Sequence, residues 1–584
     1  MLEKLLHRLK AMDTGIKIAL GLFLGSAVVL GLTGGDEEPP PARPAEAPAE
    51  PLKARKAPKK RAAAPPAEKE RSPEQAALDR LPGSVRIEDT GLHWLAITTM
   101  DYPLGGPMDV EAVGDELFVL TRHGELTRYD PGAETFEVVG TVELNRAALE
   151  ASDIYRSKGF KRSYFRAFGL LVEPAGDGFR AYVAHHLFAD GCFWFRISTL
   201  GFRVGEGGAE VVQDWQPLYT AEPCVPPLVE AGNRFGGHQA GGRMIPHGPD
   251  HFLVTIGDHE LDGRKVRPAP LDPASPYGKI MLVDKRTGAA RVFASGVRNP
   301  QGLVRLSDGR IFSTEHGPRG GDELNLIEEG ASYGWPEVTY GILYGLKPWP
   351  LAEEQGRHDG HTRPVHVWLP SVAVSNLVEP VPGQFEHWQG DLIVGSLKRQ
   401  SLYRLRFEDG HVIYDEPIPI GHRIRDIEVL PSGAFVIVTD DRKLLLLTDA
   451  GRVYEPNLSK REVAAALPFV VRPSTDDLVA ADVAPLSGEE LFEERCASCH
   501  TLDGEIEVSV PLNGLFQRQI GSYPGYAYSD VLAKDQRQWD KHQLRVFLLK
   551  PDEKFDGTAM PDPNLTREEA VTLANYLAAL EPEK

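Results

Sequence analysis

Several stretches between about Val85 and Glu455 repeat one scheme: an apolar strand, a polar turn, a second strand ending in Asp, a glycine turn and a third strand. Examples begin at Glu116 (ELFVLTRHGELTRYDPGAETFEVV), Gly278 (GKIMLVDKRTGAARVF), Asp391 and Ala434. Alternation of apolar and polar residues between turn formers argues for antiparallel strands. A flat array of such units would leave open edges, and radial closure around an axis removes them. The units therefore predict an all-β six-bladed β-propeller. About 370 residues divide into blades of ~60 each, longer than the usual repeat of ~40–50, which implies functional insertions between strands.

The remaining length needs its own units, since 584 residues exceed one domain. Lys and Arg number 64 against 84 Asp and Glu, a net charge of -20 that excludes a sequence-wide nucleic-acid binder. Residues 18–35 (IALGLFLGSAVVLGLTGG) carry no charge and follow Lys4, Arg8, Lys10 and Lys17. The run reads as a signal sequence or anchor, just long enough to span the ~30 Å hydrocarbon layer, so cleavage and retention both fit. Retention, an N-terminal transmembrane helix, is the expectation. Basic residues before the run, with Asp36, Glu37 and Glu38 after it, send the bulk of the chain across the membrane. From 36 to 75 the Pro, Ala, Glu, Lys and Arg composition makes a solvated tether. The expected organisation is an anchor at 1–35, a linker at 36–75, the propeller at 76–470 and a last domain at 485–584.

The chain has 4 Cys, at 192, 224, 496 and 499, too few for a disulfide-built scaffold. Cys192 and Cys224 lie in an apparent insertion, where an exported protein would pair them and two buried thiols are the alternative. CASCH (Cys496 to His500) has the Cys-x-x-Cys-His spacing for covalent c-type haem: two thiols bond the porphyrin and the histidine ligates iron. Zinc would need two more soft ligands nearby, and a thioredoxin-like pair would need a βαβ setting. The preceding SGEELFEER has helical apolar spacing, which puts the motif at a helix end.

Two segments, SGVRNPQGLVRL (from Ser295) and STEHGPRGGDELNLIEEGASYGWPEVTYG (from Ser313), resemble the glucose/sorbosone dehydrogenase family over about 237–441. That family uses pyrroloquinoline quinone (PQQ) on a six-bladed propeller. The resemblance implies quinone binding by Arg298, Asn299, Lys398, Arg423 and Arg425, and cations suit a cofactor with three carboxylates. It implies His238 as the base for the sugar hydroxyl proton, a role a histidine fills near neutral pH. Gly317 and Pro318 would offer carbonyls to a Ca²⁺ at the quinone, and Asp322, Glu323 and Tyr333 would hold a structural calcium. Two departures stand out. Gly237 replaces an Asp of some members. Arg166, Ala167 and Phe168 stand where the family often carries a glutamine just ahead of its Gly-Leu-Leu strand, a change that bears on cofactor grip or on substrate.

The C-terminal stretch is similar to class I cytochromes c, an all-α fold. That similarity puts Met560 of GTAMPDP opposite His500 as the second iron ligand, with Arg518, Tyr528 and Trp539 on the haem propionates. Together the resemblances imply a quinohaemoprotein dehydrogenase with PQQ, Ca²⁺ and haem c. It would oxidise an aldose-like sugar and pass electrons to a respiratory acceptor, on the periplasmic side of the bacterial inner membrane. No nucleic-acid partner is expected. The alternative is a non-catalytic electron carrier whose propeller has lost the quinone and serves as a binding platform.

Overall fold

The computed structural model describes residues 84–450 and 485–580, apart from 91–93, 132, 156–159, 161, 228–236, 265–267, 345, 409, 507 and 556. The expected transmembrane span and linker, and the connection at 451–484, lie outside the described residues. Among the described residues no helix is long and apolar enough to cross a membrane. The propeller and the helical domain fall in one structural unit, residues 69–584.

Six antiparallel sheets form the predicted six-bladed propeller, five of four strands and one of five. The innermost strands are Pro107–Val113, Ala167–Ala175, Gly241–Pro246, Pro300–Arg305, Val374–Val378 and Ile424–Val429, and each neighbours the next until the last meets the first. The ring is closed within one blade. Strand Trp94–Asp101 from the start of the domain pairs with Lys443–Asp449 from its end, in register from Leu95 opposite Asp449 to Asp101 opposite Lys443. Pairing the two chain ends removes the free sheet edges that a linear array would expose. Central strands such as Ile311–Glu315, Leu392–Ser396 and Phe435–Thr439 are buried at every position, as strands with another blade on both faces must be.

A buried ion cluster binds the inner strands across the axis. Arg243 donates from Nη1 to Asp109 (2.7 Å) and from Nη2 to Asp426 (2.7 Å), and both carboxylates are fully buried. The carboxylates also accept backbone N–H groups, Asp109 from Leu170 (2.7 Å) and Asp426 from Val110 (2.8 Å). Four of the six inner strands therefore meet in one network. Removing one partner of a buried pair strands the other's charge. Arg243→Ala is expected to destabilise the propeller by roughly 3–5 kcal/mol, read as a lowered denaturant midpoint.

The expected disulfide is present, Cys192 to Cys224 with Cα atoms 6.1 Å apart. The last domain is helical, as expected. Helix Gly488–Arg495 begins with a capping box of Ser487 and Glu490 and ends at Cys496, which places the cysteine pair just past its C-terminus. It crosses helix Arg567–Ala579 at Gly488, where an added Cβ would lie 2.3 Å from the Cβ of Tyr576, so only glycine permits the close approach. Leu491, Phe492, Leu544, Leu548, Leu573 and Leu577 fill the core between these helices and Lys541–Leu549.

Candidate active site and haem site

A cavity of about 1200 Å³ lies between the propeller and the helical domain and is lined by both. On the propeller side its walls are the residues that lead into the innermost strands and those that follow the second strand of each blade. Arg166 precedes Ala167, His238 and Gln239 precede Gly241, Arg298 and Asn299 precede Pro300, and Arg423 precedes Ile424; Gly317, Lys398 and Asp440 follow second strands. Propeller geometry thus gathers at one place residues scattered over nearly 300 positions of sequence.

All five predicted quinone-binding side chains line this cavity, as does His238. Arg298 is held by the carbonyls of His316 and Gly317 (3.0 Å each) and lies over the Trp335 ring. Asn299 accepts from Gln301 (2.8 Å). Asp440 pairs with Arg423 (2.9 Å) and with Arg425 (2.6 Å). Burial alone would raise the pKa of Asp440, but Arg425 and Arg423 outweigh it and hold the carboxyl well below the ordinary range. The cluster keeps a surplus of positive charge, because further cations also face the cavity, among them Arg122, which the sequence did not single out, and Arg166 of the altered segment. Burial, then Arg425 and Arg122, press against the charge of Arg166 and push its pKa down. Among the described residues, the buried Nε atoms of Arg122, Arg166 and Arg298 have no hydrogen-bond partner. A surplus of buried guanidinium charge short of acceptors fits a ligand bearing several carboxylates.

The His238 ring packs on Tyr164, centroids 4.0 Å apart, and its Nδ1 is 4.0 Å from a carboxylate oxygen of Glu260. Glycine at 237 has a local cause. Its φ is 72°, and a Cβ there would come within 2.6 Å of the Tyr164 carbonyl oxygen, so an Asp would not fit. The altered segment at Ala167 likewise has a visible effect, since Arg166 brings a guanidinium to the cavity wall where the family often has an amide.

Gly317 and Pro318 line the cavity. Of the three residues predicted to hold a structural calcium, Glu323 and Tyr333 line one small pocket beside Glu315. Asp322 is spent on Ser371 (2.6 Å) and on the N–H groups of Val372, Ala373 and Gly317. The Tyr333 hydroxyl donates to Leu326 O (2.6 Å) and accepts from Glu328 N. Neighbours on a strand face opposite ways, so Glu323 turns from Asp322 towards Asn325 (3.3 Å). Among the described residues no three His, Cys, Asp or Glu side chains are placed to hold a metal. A structural calcium at Asp322, Glu323 and Tyr333 stays an expectation drawn from the resemblance.

On the other side of the cavity stand Cys496, Cys499, His500, Met560, Arg518, Tyr528 and Trp539. His500 Nδ1 lies 2.7 Å from the Val510 carbonyl, a contact that fixes the Nδ1–H tautomer and turns the Nε2 lone pair to a metal. Arg518 donates to Pro511 O (2.5 Å), while its Nε and Nη1 are buried without a partner among the described residues, as a propionate-binding arginine would be. The two thiols, the histidine, the thioether and this arginine fit haem c. Cys499 lines the same cavity as Lys398, Arg423 and Tyr344, so the haem-attachment cysteine and the propeller cations face one space.

Residues 225–448 match the family model for glucose/sorbosone dehydrogenase, and 486–581 match cytochrome c. The chain is 42% identical to cytochrome c of Sesamum indicum over 94 residues, 16% of this chain and 85% of that protein. This chain joins a glucose/sorbosone dehydrogenase domain to a domain of the cytochrome c family. Its dehydrogenase domain is 32% identical over 237 residues to the aldose sugar dehydrogenase YliI of Escherichia coli, 37% of this chain and 59% of that protein. Quinoprotein glucose dehydrogenase B of Acinetobacter calcoaceticus is 24% identical over 217 residues, 28% of this chain and 45% of that protein. The chain spans about 60% of the first propeller relatives' length.

Proposed function

We propose that this protein is a quinohaemoprotein dehydrogenase that oxidises an aldose-like sugar in the propeller and delivers the electrons through its cytochrome c domain to a respiratory acceptor. The observation that carries this reading is the single cavity lined on one face by the propeller cations and His238 and on the other by Cys496, Cys499, His500 and Met560. The names of the E. coli and Acinetobacter relatives support sugar and quinone as the chemistry.

When bound, PQQ would supply a two-electron acceptor, with a cation on the Gly317 and Pro318 carbonyls to polarise it. The chain's own residues do the rest. Arg298, Arg423, Arg425, Lys398 and Arg166 would hold the cofactor carboxylates, and Asp440 keeps two of those guanidiniums in place. His238 would take the proton from the sugar hydroxyl, with the Glu260 carboxylate close enough to favour the resulting imidazolium. The helical domain roofs the cavity and limits access of water to the reacting carbon. His500 and Met560 would hold the haem iron, a ligand pair that raises its potential and favours electron acceptance. Covalent haem and the Cys192–Cys224 disulfide suit the oxidising, periplasmic side of a membrane, with the N-terminal run as tether.

Adding PQQ and Ca²⁺ to purified haem-loaded protein, then sugar, is expected to reduce the haem absorbance only when all three additions are present. Reduction by simple alcohols and not aldoses would move the substrate class. No reduction by either would leave the electron-carrier reading in its place.

A further inference from the structure

Resting on the functional reading above, we infer that Arg495 latches the haem domain onto the quinone-binding cations through Asp440, and so positions the two redox centres for electron transfer.

Five hydrogen bonds join the domains among the described residues. Glu489 pairs with Arg162, Glu493 accepts from Ser163 N (3.1 Å), Gln400 donates to Asp562 O (2.6 Å), Asn564 donates to Gly421 O (3.0 Å), and Arg495 Nη1 donates to Asp440 O (2.7 Å). The first is partly exposed on both sides and contributes little in water. The Arg495 bond alone ends on a residue that itself holds predicted cofactor contacts: the Asp440 carbonyl takes Arg495, and its carboxylate takes Arg423 Nε (2.9 Å), Arg425 Nε (2.9 Å) and Arg425 Nη2 (2.6 Å). Asp441 reinforces the same point, paired with His422 (2.7 Å) and within the field of Arg495.

On the haem side, Arg495 is the last residue of helix Gly488–Arg495, and the next residue is Cys496. One peptide bond separates it from a haem-attachment residue. The link from the cations to the haem is therefore short and continuous: Arg423 and Arg425, the Asp440 carboxylate, the Asp440 carbonyl, the Arg495 guanidinium, the Cys496 peptide. A guanidinium bonded to a carbonyl loses little freedom when it is already set by the helix end. Haem held by Cys496, Cys499 and His500 would take one electron at a time from the propeller and pass it on to the acceptor. Two such events balance the two electrons lost by the sugar, and the two protons pass to water. Arg495 touches neither sugar nor quinone in this scheme, so it is a positioning residue.

The test uses full-length protein loaded with haem, PQQ and Ca²⁺. In Arg495→Gln, the stopped-flow rate of haem reduction after mixing with sugar is expected to fall about tenfold or more, the effect of losing one charge-assisted hydrogen bond from the docked state. Three readouts are expected to stay at the wild-type value: PQQ affinity by fluorescence titration, the haem midpoint potential, and sugar turnover with a soluble dye that takes electrons directly from the quinone. Arg495→Lys, which keeps a cationic donor, should recover most of the rate. Asn564→Ala removes an interdomain bond that does not reach the cations and should change the rate less than twofold. Wild-type haem reduction in Arg495→Gln overturns the latch, as does an equal loss in Asn564→Ala. If wild-type protein shows no sugar-dependent reduction of dye or haem, the functional reading itself has failed. If the dye is reduced and only the Arg495 effect is missing, that reading stands and the latch does not.

Discussion

His238→Ala is expected to lower sugar-dependent reduction, of haem and of an external dye alike, by about 10²–10⁴-fold, the range for loss of a positioned general base. Haem content and PQQ affinity should be unchanged, because His238 lies among the propeller residues and is not one of the clustered cations. The size of the effect follows from the chemistry: hydride cannot leave a carbinol carbon cheaply while its hydroxyl keeps the proton. The ring is well placed for that task, packed at a tilt on Tyr164 and beside Glu260. Partial recovery with added imidazole would show that a base is missing and not a packing element. Normal turnover in His238→Ala would remove the residue from the mechanism.

Changing both Cys496 and Cys499 to alanine is expected to abolish covalent haem, seen as loss of haem colour from the denatured chain. It should also abolish sugar-dependent haem reduction. The cysteines stand at the end of one helix with no disulfide between them, and both line the cavity beside His500. Neither belongs to the propeller, so turnover with an external dye should survive. Loss of dye turnover together with haem would mean that the propeller site depends on the haem domain for its own shape.

The two halves of the site were readable from sequence to different extents. CASCH is contiguous and follows a helix signalled by its apolar spacing, so local order alone places two thiols and a histidine together. The propeller was legible as alternating strands and turns, and Arg298, Lys398 and Arg425 were identified because the surrounding segments resemble a known family. Asp322 and Tyr333 came from the same resemblance; the structure adds that Asp322 bonds to a loop some 50 residues on, at Ser371, Val372 and Ala373, and Tyr333 to Leu326 O. Resemblance carries a residue's position; it does not carry the hydrogen bonds its neighbours demand.

Residue order by itself determined the strand scheme and the haem motif, because these depend on periodicity and on spacing between near neighbours; the blade number followed from length, and the family of each domain from resemblance. Tertiary structure alone decided that Asp440 would clamp Arg423 and Arg425, that Arg243 would meet Asp109 and Asp426, and that Arg166 would add a cation to the cavity. It alone set Arg495 against the back of Asp440. The Asp440 clamp forms across two neighbouring strands of one blade, while the Arg243, Arg166 and Arg495 contacts join elements brought together by ring closure or by domain docking, encounters set by packing in three dimensions that no local pattern encodes.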